Sequence, residues 1–105
     1  MRDRIIVKKE LIPYGFNIAL GREKFNMRFA YNEQADLFTV SLYRDGKLLC
    51  YAEPVIYGVP LFHDIYESGM FPMLDIVPYD ESGQEQSVTW ENFGETVFLT
   101  IDNGK

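Results

Sequence analysis

The sequence has little of the chemistry on which secreted domains, zinc proteins and many enzymes depend. It contains one cysteine, Cys50, and one histidine, His63, among 105 residues. A single thiol cannot form an internal disulfide, and one Cys with one His falls short of the about four ligands of a structural zinc site. A small domain without disulfides is more typical of a reducing cytoplasm than of secretion.

Long apolar segments and glycine-rich phosphate loops are also missing. No run approaches the roughly 18 apolar residues that a membrane-spanning helix needs. The N-terminal MRDRIIVKKE has only three consecutive apolar residues, too few for a signal peptide. No GxGxxG or GxxxxGK[ST] pattern occurs. We therefore expect no membrane partner, no cofactor, no metal and no catalytic residue.

Basic residues are scarce and unevenly placed. The net charge is −6, with nine Lys/Arg and six Asp/Glu in residues 1–52 but one Lys and ten Asp/Glu in residues 53–105. The acidic balance argues against nucleic acid as a partner, since binding to phosphates needs a basic surface. The asymmetry fits a subunit that presents opposite charges to different neighbours. Alternatively, the two halves mix in the fold and the charges only solvate the surface.

Aromatic residues are abundant, at 15% of the chain, and hydrophobic residues make up 47%. Aromatic and β-branched side chains favour strands. The length indicates one domain over residues 1–105. The organising stretch is residues 25–55, which reads as three strands joined by short turns, with Asp45-Gly46 as a hairpin signal. Strands are predicted at residues 4–10, 14–20, 24–32, 37–43, 48–55, 73–79 and 95–102.

The pattern changes after residue 55. Pro60 can open a short helix near residues 60–67, with a twisted strand as the alternative. Residues 80–87 are predicted to form a polar loop, and residues 88–94 a compact corner anchored by Trp90 and Phe93. Together these elements predict a mainly antiparallel all-β fold, a small single-domain barrel or sandwich of about six to seven short strands.

The residue types that carry chemistry are poorly arranged for it. His63 and Asp64 are adjacent, so their side chains diverge in either a strand or a helix. Cys50 with His63 would be a nucleophile pair without a third group to orient it. A surface or interface histidine and a buried, inert thiol are the simpler interpretations.

A series of aromatic residues follows the last strand of the meander. Because Tyr and Phe are enriched at protein interfaces, Tyr57, Phe62, Tyr66 and Phe71 are the candidate protein-interface residues. Core packing is the alternative for each ring. Exposed aromatic rings on a β-scaffold could also stack on sugars, so a small carbohydrate-binding module is the second functional hypothesis.

The order of motifs is more informative than any single motif. The meander contains an "aromatic-x-hydrophobic-Arg-x-x-Tyr-Asn" strand, a "Phe-x-hydrophobic-x-Leu-Tyr" strand and Asp-Gly. These positions are Phe25, Met27, Arg28, Tyr31, Asn32, Phe38, Val40, Leu42, Tyr43, Asp45 and Gly46, followed downstream by Gly58, Val59, Phe71, Pro72, Trp90, Phe93, Gly94, Val97 and Leu99. Over roughly residues 14–102, this order resembles the small baseplate plug proteins of contractile-tailed phages and prophages.

The resemblance implies a non-enzymatic structural protein of the virion, located in the tail baseplate and made in the bacterial host cytoplasm. It implies packing with hub, spike and tail-tube proteins, and copies of the same chain are a further candidate partner. It supplies no catalytic, cofactor-binding or metal-binding residues.

Overall fold

The computed structural model describes residues 3–20, 23–62 and 75–102, which form seven strands and one 3-10 turn. The strands are β1 (Asp3–Ile5), β2 (Tyr14–Leu20), β3 (Glu23–Asn32), β4 (Leu37–Arg44), β5 (Lys47–Pro54), β6 (Asp75–Tyr79) and β7 (Phe98–Asp102), and the 3-10 turn is Lys9–Leu11. All strand pairs are antiparallel. The predicted all-β, mainly antiparallel class is confirmed.

The predicted meander forms a four-stranded sheet in the order β2-β3-β4-β5. Its alternation follows from the sequence: Phe25, Met27 and Phe29 of β3 are at most 2% exposed, while Lys24 and Arg28 on the opposite face are exposed. Strand β4 pairs on both sides, as its two partly apolar faces predicted.

The β4–β5 hairpin turns at Asp45 and Gly46, whose φ values are +53° and +75°. Two consecutive positive φ values are what a tight hairpin with the right-handed twist of its strands requires, and Asp-Gly accepts them at low cost.

The second sheet joins the two ends of the chain in the order β1-β7-β6. Both sheets contribute to one core, in which Phe38, Val40, Ile76 and Leu99 are completely buried. The two sheets are open in the described part of the chain, because no pairing joins the outer strands of either one. The arrangement is therefore the predicted sandwich option rather than a closed barrel.

Two predicted strands are shorter than expected. Strand β1 ends at Ile5, and the charged Lys8, Lys9 and Glu10 lie in or before the 3-10 turn instead of extending the strand. Strand β7 begins at Phe98, because the backbone N–H groups at 95–97 all donate to the carbonyl of Asn92 and form a turn. Local backbone hydrogen bonding thus replaces strand pairing at residues 95–97.

Residues 56–62 are the described part of the connection between the two sheets. Gly58 donates a backbone hydrogen bond to Pro78 (2.8 Å) and Leu61 donates one to Ile76 (2.8 Å), which ties this connection to the edge of β6. Residues 60–62 are not helical, and the remainder of the helix predicted near residues 60–67 lies outside the described residues. Among the residues described, no helix is long and apolar enough to cross a membrane.

The polar loop at residues 80–87 is organised by one carboxylate. Asp80 is 2% exposed, and its oxygens accept hydrogen bonds from the backbone N–H groups of Ser82, Gln84 and Glu85 and from the Ser82 hydroxyl. These donors, the hydroxyl foremost, lower the pKa of Asp80. The loop is therefore a defined turn built on Asp80.

Candidate protein-interaction surfaces

The structure describes two of the four predicted interface residues, Tyr57 and Phe62, and they differ in exposure. Tyr57 is half-buried, its hydroxyl accepts a hydrogen bond from the Asp80 backbone (3.1 Å), and its ring centroid lies 5.9 Å from that of Tyr79. Phe62 is 1% exposed and is part of the core. Its ring therefore has no surface to offer a partner. Tyr66 and Phe71 lie outside the described residues, and the interface role of Tyr57, Tyr66 and Phe71 stays a prediction.

Two apolar side chains beside Tyr57 are exposed to solvent. Ile56 is 44% exposed and Val59 is 48% exposed. Both lie in the connection between β5 and β6, where the chain turns with Gly58 at a φ of +74°. Neither residue was predicted as an interface residue, but both lie close to Tyr57 in the chain, and we treat the three together as the first candidate surface.

A second surface is a groove of about 600 Å³, and neither Tyr57 nor Phe62 lines it. The groove is lined by residues from the end of β3 and the turn after it, from the link before β2 and from the corner before β7. We call this surface the aromatic groove. It is lined by Ile12, Pro13, Ala30, Tyr31, Glu33 and Trp90. Trp90, the only tryptophan, is 38% exposed.

One carboxylate holds the aromatic groove together. Asp36, in the β3–β4 turn at a φ of +49°, accepts hydrogen bonds from the Tyr31 hydroxyl (2.5 Å) and the Trp90 backbone N–H (2.9 Å). From the other side, Lys9 Nζ donates to the Trp90 carbonyl and lies 5.5 Å from the centroid of the indole. Trp90 also stacks on the buried Phe38, with 5.8 Å between the ring centroids. Contacts from the 3-10 turn and from the stretch that joins the β3–β4 turn to the start of β4 therefore fix the position of the exposed indole.

These contacts shift the pKa values of Tyr31 and Asp36 in opposite directions. The hydrogen bond to Asp36 raises the pKa of Tyr31 to about 12. The Tyr31 hydroxyl, followed by the Trp90 N–H, lowers the pKa of Asp36. A lowered carboxyl pKa means that this contact stabilises the fold above the ordinary value near 3.8, and that the stabilisation disappears as pH falls through the lowered value.

We expect Asp36→Asn to move the titration of Tyr31 from about 12 back toward 10, because the charged acceptor is removed while the side-chain shape is kept. Ring resonances of Tyr31, followed by NMR against pH, measure this shift directly. Asp45→Asn, in the exposed β4–β5 turn, is the matched control and should leave Tyr31 unchanged. An Asp36→Asn protein in which Tyr31 still titrates near 12 would contradict the assigned contact.

The geometry of the aromatic groove gives no support to sugar stacking. The rings of Tyr31 and Trp90 are tilted by 49°, and one face of Trp90 is covered by Phe38. A sugar-binding platform needs exposed, coplanar rings, which this pair does not provide.

The outward face of the four-stranded sheet is a third surface. This face carries the cationic side chains of Lys24 and Arg28. Within the described strands, the register places no carboxylate on the same face. Tyr51, 76% exposed, lies on its β5 margin. Arg28 lies across Gly15, where an added Cβ would be 2.7 Å from Arg28 Cγ. The positive excess of the first half of the chain is thus partly concentrated on one face.

The described residues contain no obvious reaction centre. The thiol of Cys50 donates to Glu53 Oε1 (3.6 Å), and His63 lies outside the described residues. Within the described ranges, no group of three His, Cys, Asp or Glu side chains could hold a metal ion.

The aromatic groove was not predicted as a site from the sequence, although Trp90 was expected to anchor a corner. Its central contact joins Asp36 to Trp90, 54 residues apart. Neither residue lies in a motif that signals the other, so only the tertiary structure brings them together.

The model of the family described as "Cyanophage baseplate Pam3 plug gp18" matches residues 2–104, nearly the whole chain. No curated protein matches the chain.

Proposed function

Because this chain belongs to the cyanophage baseplate plug family, we propose that it is a non-enzymatic structural protein that packs with the hub, spike and tail-tube proteins of a contractile phage tail. Its family makes it a component of the phage tail that interacts with other baseplate proteins. The contractile tail, the three named partners and synthesis in the host cytoplasm are the parts we propose.

The observation that carries this proposal is the family match over residues 2–104. The surface supports it, since an assembly protein acts through contacts and this chain exposes apolar side chains in several elements. They are Ile6, Leu11, Leu48, Tyr51, Ile56, Val59 and Trp90, each at least 38% exposed. Exposed apolar and aromatic side chains of this kind are typical of the buried centre of protein interfaces.

The connection between the sheets is the first surface to test. We expect Ile56→Lys/Val59→Lys to abolish or strongly weaken binding, because two ammonium groups would have to be desolvated in an apolar contact. The chain is co-expressed with the hub, spike and tail-tube proteins of its phage, and complexes are separated by size-exclusion chromatography. Gln84→Lys/Gln86→Lys adds the same charge in an exposed loop and should leave binding intact.

Two outcomes count against the proposal. If the wild-type chain co-elutes with none of the three proteins, the proposed partners are wrong. If both double variants bind as well as the wild type, the Ile56–Val59 pair is not part of the contact, and Tyr57 loses its supporting surface.

A further inference from the structure

Strand β2 is the long open edge of the part of the chain that the structure describes. Among those residues it pairs only with β3, whereas the edge of β6 is bonded by Gly58 and Leu61 and β1 has only three residues. The opposite edge, β5, carries the usual protections against pairing: register shifts, Lys47, Glu53 and Pro54. Strand β2, with the sequence YGFNIAL, has no charge, no proline and no bulge.

The direction of the free backbone groups follows from the ladder. The Phe38 carbonyl accepts a hydrogen bond from Val55 N (2.9 Å), so Phe38 and Val40 direct their backbone groups toward β5. Phe29 is paired with Val40, so its backbone N–H and C=O groups point away from β4 and toward β2, where Phe29 is paired with Tyr14. Because backbone groups alternate along a strand, those of residues 15, 17 and 19 point to the open edge.

The side chains of β2 are arranged symmetrically about Asn17. Reading outward in both directions, Asn17 is followed by an apolar residue, a small residue and another apolar residue. Antiparallel pairing of two copies about Asn17 would place Phe16 opposite Ile18 and Gly15 opposite Ala19. Apolar residues thus meet apolar residues and small residues meet small ones, and β2 itself carries no charge. Phe16 and Ile18, only half-buried in one chain, would cover each other across the junction.

Asn17 itself suits a position on a two-fold axis. Its Oδ1 accepts a hydrogen bond from Asn26 Nδ2 (3.0 Å), and its own amide N–H groups remain available as donors on the exposed face. Two Asn17 side chains facing each other can therefore exchange amide hydrogen bonds, as in asparagine ladders of stacked strands.

We propose that β2 is a self-association edge, at which a second copy of this chain pairs antiparallel about Asn17 to give a two-fold dimer with a continuous eight-stranded sheet. The contact is isologous, so it closes at two copies. This goes beyond the proposed baseplate function and uses a different element from the Ile56–Val59 surface. Failure of one test therefore leaves the other standing.

The first test is the mass of the full chain in solution. Light scattering across a concentration series should approach twice the 12.2 kDa of one chain. Asn17→Lys places two ammonium groups opposite each other on the axis, and we expect loss of the dimer. Ala30→Lys adds the same charge to the same face on the inner strand β3, and should leave the dimer intact. A monomeric wild type, or a dimer that survives Asn17→Lys, would overturn the proposal.

The second test does not depend on affinity alone. In a Cys50→Ser background, Asn17→Cys should form an intermolecular disulfide under mild oxidation. Directly paired residues have Cα atoms about 5.5 Å apart, within the roughly 4.4–6.8 Å that a disulfide spans. Ala30→Cys in the same background is the control for random collision. Crosslinking at residue 17 that is no faster than at residue 30 would refute pairing about Asn17.

Discussion

Phe38→Ala should lower the free energy of unfolding by about 3–5 kcal/mol, the usual cost of truncating a fully buried phenylalanine. Phe38, near the start of β4, is 0% exposed, and its ring lies 4.7 Å from Tyr31, 4.5 Å from Phe93 and 5.8 Å from Trp90 between centroids. It joins the meander to the corner before β7. A loss of this size is a large part of the about 5–15 kcal/mol that stabilises a typical domain.

Urea unfolding followed by Trp90 fluorescence measures this loss at the cluster itself, and far-UV circular dichroism reports on the sheets. Tyr51→Ala, at a side chain 76% exposed, is the control and should change stability by no more than about 0.5 kcal/mol. If Phe38→Ala and Tyr51→Ala unfolded at the same urea concentration, the ring cluster would not be the junction that the structure indicates.

Asn92→Asp should lower the free energy of unfolding by about 3 kcal/mol at neutral pH, although it only replaces the amide NH2 group by an oxygen. Asn92 is 8% exposed, and its Nδ2 donates to Glu85 Oε1 (3.1 Å) and to the Ser87 carbonyl (2.9 Å), while its Oδ1 accepts from Thr89 N (2.9 Å). A carboxylate at this position could still accept the hydrogen bond from Thr89 N. It would also place an acceptor oxygen against Glu85 Oε1 and the Ser87 carbonyl, to which the amide now donates.

The sign of the pH dependence follows from that repulsion. The new carboxyl would be disfavoured in its charged form, so its pKa in the folded state would lie above the unfolded value near 3.9. The destabilisation caused by ionisation of this carboxyl is then absent below about pH 4 and grows as the pH rises through the folded-state pKa. Thermal unfolding of Asn92→Asp, compared with wild type at each pH, should show the difference narrowing toward acid.

Asn32→Asp is the matched control for this prediction. Only Oδ1 of Asn32 is used, accepting from the N–H groups of Gln34 and Ala35 in an exposed turn. A carboxylate can make both contacts, so its stability should stay close to wild type at every pH. Equal effects at positions 32 and 92 would show that the amide donors of Asn92 do not hold the corner.

Local information in the sequence determined most of the strands. Strand β2 lies at the predicted residues 14–20, and β3, β4 and β5 are displaced by a single residue at one or both ends. Alternation and the Asp45-Gly46 turn suffice there, because side-chain direction and turn geometry depend on neighbours in the chain. The family resemblance also came from the order of these local motifs, and the match over residues 2–104 confirms it.

What the sequence could not determine depends on distant partners. The pairing of β1 with β7, the burial of Phe62 and the contact of Asp36 with Trp90 each join segments far apart in the chain. The free edge of β2 is likewise a property of the sheet order, not of its seven residues. Burial and pairing are set by which surfaces meet in three dimensions, so only the tertiary structure decided where this protein can contact others.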